Sequence, residues 1–250
     1  MAILDFIAVF LFALALPLAG YIAQKRNFLR LAEGGGKLRI RAYLSNTAIL
    51  WVMLALLAFA WHSAERDFAL MGFALPETLR FWGGSALAGI AILPLMYQVR
   101  LARKSADYRH QLIEEMGRLE HLLPRSPREL GYFSGLAVTA GIVEEILYRG
   151  ALIWYLSLWM DTLWAAAIAL LVFTLAHAYQ GPKNTLRAGL AGLALTVVYL
   201  LSGSILPAIM LHATIDLLGG AMGYYALSMD SDEQGAGAGA ATEAEAETES

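Results

Sequence analysis

Cysteine is missing from this 250-residue chain. Its absence excludes a disulfide framework, a thiolate-bound metal and a cysteine nucleophile, and leaves the redox compartment undetermined. Charge is scarce too. Only 16% of residues are Asp, Glu, Lys or Arg and 58% are hydrophobic, where an average soluble domain has about 25% charged and 45–50% apolar residues. With a mean hydropathy of +0.56, this composition excludes an ordinary soluble domain and indicates a polytopic membrane protein. Basic residues are absent from Asp230 onward, where seven acids follow, so the formal charge of −3 conceals an excess of four positive charges in the body. Such an imbalance reports topology and an acidic tail, and no nucleic-acid partner is expected.

What is present is a series of apolar runs of membrane length, roughly 20 residues each. They fall at residues 2–24, 42–61, 78–98, 132–158, 161–180, 186–201 and 205–227. The expected fold is therefore all-α, a polytopic membrane helix bundle of about seven transmembrane helices. The first run lacks a basic leader and reads as a span, not a cleavable signal. Four parts follow: three N-terminal transmembrane helices in residues 1–99, a cytoplasmic amphipathic segment at 100–128, a helical core at 129–228 and a disordered acidic tail at 229–250. The amphipathic segment places Leu112, Ile113, Met116, Leu119, Leu122 and Leu123 at helical spacing. It suits a membrane surface and a connector packed on the other helices equally well.

Loop charge sets the orientation. Fifteen of the eighteen Lys and Arg fall in the loops after spans one, three and five, among them Lys25, Arg26, Arg30, Lys37, Arg39 and Arg41 around the glycines at 34–36. The basic side is cytoplasmic, so the N-terminus is expected outside and the C-terminus inside, in a bacterial cytoplasmic (inner) membrane. Smaller signals agree with these spans. Gly189 and Gly192 predict close packing of the sixth, Trp154, Tyr155 and Trp159 an interfacial belt at the end of the fourth, and Asp161 a cap for the fifth.

Against this apolar background, Glu144, Glu145 and Arg149 stand near the middle of the fourth span. Each charge at that depth costs at least about 2.5–3.5 kcal/mol, so such residues face a protein interior or wet cavity and mark functional sites. Glu145 and Arg149, four apart with the acid first, share one helix face and predict a supporting ion pair. Glu144 is rotated about 100° from Glu145 and is left as the free carboxylate. His177 on the fifth span, and His212 with Asp216 one turn apart on the seventh, add ionisable groups at membrane depth. His62, His110 and His121 fall in loops or the amphipathic segment and are assigned no chemistry.

A carboxylate and an imidazole can together hold a water and take its proton, while a second polar group stabilises the oxyanion formed at a carbonyl. That combination suits peptide hydrolysis without a covalent intermediate. No cofactor is favoured. Zinc, held by Glu144, His177 and His212, is the alternative, although no His-Glu-x-x-His pair is present.

Glu-Glu-x-x-x-Arg at 144–149, Phe-x-x-x-His at 173–177 and His-x-x-x-Asp at 212–216, each on its own apolar span and in this order, resemble the motifs of the CPBP family of intramembrane proteases. This group, also called the ABI or CAAX-processing family, includes the type II CAAX prenyl endopeptidases and bacteriocin self-immunity proteins. The resemblance covers about residues 132–227. It implies that Glu144 and His177 activate the water and that His212 and Asp216 form the oxyanion site. In the prenyl endopeptidases the last motif position is typically Asn, whereas this chain has Asp216. An ionised Asp would repel an oxyanion, so Asp216 either keeps its proton or orients His212. The expected function is an intramembrane endopeptidase acting on a CAAX-type or other membrane-associated peptide or membrane-protein substrate from within the lipid bilayer. The alternative is a non-hydrolytic membrane protein, a regulatory scaffold or proton-coupled carrier, using the same groups as a structural or relay cluster. Oligomeric state is not legible in the sequence.

Overall fold

The computed structural model describes residues 16–75 and 78–248. Helices account for every regular element among them, with no strand. In chain order they are α1 (Leu16–Ser63), α2 (Leu79–Lys104), α3 (Ala106–Met116), α4 (Pro127–Glu145), α5 (Ile153–Leu156), α6 (Thr162–Ala176), α7 (Pro182–Ser202) and α8 (Leu206–Thr248). A π-helical turn, Ile146–Leu152, joins α4 to α5, so residues 127–156 form one continuous helical rod.

Among the described residues, five helical segments are long and apolar enough to cross a membrane: Gly35–Ser63, Leu79–Lys104, Thr162–Gln180, Pro182–Ser202 and Leu206–Met229. They match the expected second, third, fifth, sixth and seventh spans. The rod at 127–156 has comparable length, but carries Arg128, Glu129, Glu144, Glu145 and Arg149. The residues that interrupt its hydropathy are those that draw attention to it. The expected first span, 2–24, lies largely outside the described residues.

The basic stretch expected as a loop after the first span is helical instead. Its residues belong to α1, which bends at Gly35 with φ 63° and ψ −168°, a conformation that a side chain would strain. Lys, Arg, Leu and Ala on either side are good helix formers, so one glycine makes the whole corner. Beyond the bend, Arg39 Nε and Nη2 donate to Glu129 Oε2 and Oε1 at 2.7 and 3.2 Å, a buried bidentate pair. Ser126 caps α4 by accepting from Glu129 N, and Glu129 in turn accepts from Arg125 N and Ser126 Oγ. These reciprocal bonds fix where α4 starts, and the Arg39 pair ties it to α1.

The amphipathic segment packs as a connector. Its first five residues, 100–104, extend α2, and α3 then packs on α8. Met116 is buried, and its carbonyl accepts from Asn184 Nδ2 at the start of α7. Glu115 pairs with Arg187 and Lys183, and the Arg187 hydrogen bond holds its carboxyl below the usual carboxylate range. At the other end of the bundle, Tyr155 is buried, not interfacial, and Trp154 packs edge-on against Trp61 while Trp159 stays exposed. Asp161 occupies the N-cap of α6 without a side-chain hydrogen bond to it.

α8 is the hub of the bundle, contacting α2, α3, α4 and α7. Past Met229 its helical backbone continues to Thr248, through the acidic segment expected to be disordered. Ala and Glu recur there, and both favour helix.

Candidate active site

Two polar clusters lie on adjacent faces of the rod, about 22 Å along α4 from its Glu129 end at 1.5 Å per residue. The first is buried. Arg149 Nη1 donates to Glu145 Oε1 at 2.7 Å, Nη2 to Gly192 O at 2.9 Å, and Nε to Thr196 Oγ1 at 3.4 Å. The guanidinium also lies over the Phe173 ring, 4.4 Å from its centroid. Thus α4, α6 and α7 converge on one cation. Gly189 and Gly192 allow this approach, since the side chains of Thr174 and Phe173 fill the space that a Cβ would take.

Glu145 has a further partner on α8. His212 Nδ1 donates to Glu145 Oε1 at 2.7 Å, across 67 residues of sequence. A carboxylate can only accept, so this contact puts a proton on Nδ1 and leaves Nε2 to face elsewhere. It faces Asp216, whose Oδ2 lies 3.7 Å away, beyond hydrogen-bond length. The helix crossing that brings α4 to α8 is set by Gly141: a Cβ there would stand 2.6 Å from Ala213 N and 2.8 Å from Ala213 Cα. Asp216 is less enclosed than its apolar neighbours Ile215 and Leu218 suggest, with 35% of its side chain accessible.

The second cluster faces a cleft. Glu144 Oε2 and His177 Nε2 are 4.0 Å apart, with 19% and 17% of their side chains accessible. Glu144 Oε2 has no hydrogen-bond partner among the described residues. His177 caps α6, and its Nδ1 lies 2.8 Å from Phe173 O. The carbonyl fixes the tautomer: Nδ1 carries the proton, and in the neutral ring Nε2 presents a lone pair toward Glu144. Leu50 and Met53 of α1, Leu147 and Tyr148 of the π turn, and Ala176 and Tyr179 complete the cleft, whose volume is about 100 Å³.

The structure thus places every residue singled out by sequence. It separates Glu144 from the Glu145–Arg149 pair, and brings Glu144 to His177 and His212 to Glu145. Phe173 joins the two clusters, its ring 4.5 Å from that of His177 and 6.0 Å from that of His212. Among the described residues no group of three His, Asp or Glu side chains is placed to hold a metal ion. Two features lay beyond the sequence. One is the His212–Glu145 bond, and the other is the π turn that begins immediately after Glu145, a distortion frequent at functional sites.

Residues 126–218 match the family model described as type II CAAX prenyl endopeptidase Rce1-like. No curated protein and no solved structure gives a significant match. The matched stretch runs from the Ser126 cap of α4 to the turn after Asp216 and contains all three motifs. The segment bearing Glu144, Glu145, Arg149, His177, His212 and Asp216 is therefore the part of the chain that is similar to the Rce1-like type II CAAX prenyl endopeptidase family.

Proposed function

We propose that the protein is an intramembrane endopeptidase that hydrolyses a peptide bond with a water activated by Glu144 and His177. The observation that carries this reading is the pairing of an unpartnered carboxylate oxygen with an imidazole nitrogen 4.0 Å away at the edge of a cleft. That separation is too long for a direct hydrogen bond and suits one water shared between the two groups. Glu144 takes the water's proton as the oxygen adds to the carbonyl carbon, and returns it to the amine as the C–N bond breaks. His177 holds and orients the water through Nε2.

His212 is the proposed oxyanion donor. With Nδ1–H given to Glu145, its Nε2 can donate only in the imidazolium form, and an ionised Asp216 at 3.7 Å would support that charge. The geometry thus favours Asp216 as the group that orients His212 over Asp216 as a neutral donor. Five candidate membrane spans and the apolar walls of the cleft support a substrate reached from the bilayer, of CAAX type or another membrane-associated peptide. The excess of Lys and Arg in the loops expected on the cytoplasmic side supports cleavage toward that face.

The test is cleavage of a reporter library, containing farnesylated CAAX peptides and their unprenylated counterparts, by purified protein in detergent. Glu144→Gln keeps the side-chain volume and removes the base. It is expected to lose hydrolysis with an unchanged melting temperature, and near-normal turnover by this variant would refute the assignment.

A further inference from the structure

Tyr148 lines the same cleft as Glu144 and His177 and stands one turn along the rod from Glu144. Its ring is fixed edge-on against Phe173, with centroids 5.3 Å apart and planes at 88°. The side chain is nearly enclosed, keeping 8% of its surface accessible. Its hydroxyl makes no hydrogen bond among the described residues, and it is not among the fully buried unpartnered oxygens. Burying a phenol without a partner is costly, and a structural role in this apolar wall would be met equally well by phenylalanine.

The surrounding residues narrow what the hydroxyl can serve. Leu50, Met53, Leu147 and Ala176 offer no donor, and His177 Nδ1 is committed to Phe173 O. Tyr179 Oη, the other phenol in the cleft, already accepts from Gln180 Nε2. A carbonyl attacked by water held between Glu144 and His177 must lie in this cleft. Building on the hydrolytic reading above, we infer that Tyr148 is a further catalytic residue, whose hydroxyl donates a hydrogen bond to the carbonyl oxygen of the scissile peptide. No proton is transferred. As water adds, the carbonyl π pair moves to oxygen, and the phenol hydrogen bond strengthens onto that developing charge alongside the donor on His212. Both side chains flank the Phe173 ring, so one carbonyl oxygen would be served from the π turn and from α8, as in other two-donor oxyanion sites.

Tyr148→Phe retains the ring contact and removes only the donor. On a reporter peptide cleaved by the parent protein, the expected loss is about 10²-fold in kcat with KM within about twofold, because the bond strengthens in the transition state. Tyr132→Phe, at an exposed phenol on α4 that does not line the cleft, serves as the comparator and is expected to keep kcat within about threefold. Rates are referred to the folded fraction, measured by thermal melting, so that reduced yield is not mistaken for lost chemistry. Tyr148→Phe with kcat within about threefold of the parent, or equal losses in both variants, would overturn the inference. A failure of the hydrolytic reading is recognised separately, by an active Glu144→Gln variant.

Discussion

Removing one side of the Glu145–Arg149 pair should be among the most damaging single changes in the bundle. The two side chains keep only 0% and 1% of their surface accessible, and Arg149 also serves Gly192 O. Arg149→Ala would leave Glu145 a buried carboxylate with His212 as its remaining hydrogen-bond partner, and would free the Gly192 carbonyl. Breaking such a pair costs about 3–5 kcal/mol, because the surviving charge stays desolvated. At roughly 2–4 °C per kcal/mol for a chain of this size, the melting temperature should fall by about 6–20 °C. Arg149→Lys should recover little, since a single ammonium cannot span a carboxylate and a carbonyl as the guanidinium fork does. The informative variant is the double change Glu145→Met with Arg149→Met. It strands no charge and should be more stable than either single variant, with a coupling of about 0.5–3 kcal/mol. It should nevertheless be inactive, because His212 loses the carboxylate that fixes its tautomer. Melting curves in detergent, followed by tryptophan fluorescence, measure all of these. A shift below about 2 °C for Arg149→Ala, or strict additivity in the double variant, would refute the buried-pair argument.

Gly141→Val should force α4 and α8 apart, since even the first added carbon meets Ala213 backbone at 2.6 Å; reduced yield with loss of activity in the folded remainder is expected. Asp216→Asn removes the charge beside His212 Nε2 and should lower kcat strongly at all pH, whereas an active Asn variant holding its rate to higher pH would show a neutral-donor role. Elemental analysis of active protein should find well below one zinc per chain, and chelators should inhibit weakly. One zinc per chain, lost with activity in His177→Ala, would reverse that reading.

Much of the site was legible because its parts are local. The four-residue spacing of Glu145 and Arg149 placed them on one face, and the 100° rotation set Glu144 aside; both survive the π turn, with the pair still at 2.7 Å. The spans that cross between turns and glycines were legible from hydropathy alone. What escaped were contacts between elements distant in sequence. The bond from His212 to Glu145 depends on how closely α8 crosses α4, which Gly141 permits but no periodicity announces. Glu129, at the polar edge of an apolar run, reads as an ordinary first-turn acid. The Ser126-x-x-Glu129 spacing was a signal for the cap, but the Arg39 partner comes from a helix 90 residues earlier. The basic stretch around Gly35 reads as a loop from its charge and glycines, yet its helix propensity carries the helix through and one bent residue makes the turn. Nothing in the residue types of Ile146–Leu152 distinguishes the π turn found there from an α turn.

Two adjacent glutamates therefore do different work because one helix turns them to different neighbours. Glu145 faces α7 and α8, where Arg149 and His212 use its Oε1 and burial is complete. Its charge is neutralised within the protein and is not available to a water. Glu144 faces α1 and the end of α6, where apolar walls leave a cleft, its Oε2 is unpartnered and the nearest base is an imidazole with a fixed tautomer. A carboxylate so placed lacks the compensation that buried charges normally receive, and substrate water is the natural group to supply it. The same contacts link one cluster to the other. Glu145 anchors His212, Arg149 lies over Phe173, and Phe173 packs against both histidines, so under the proposed reading the buried pair would hold Glu144 and His177 in register. Losses at Glu145 or Arg149 should consequently appear in stability and turnover together, whereas losses at Glu144 appear in turnover alone.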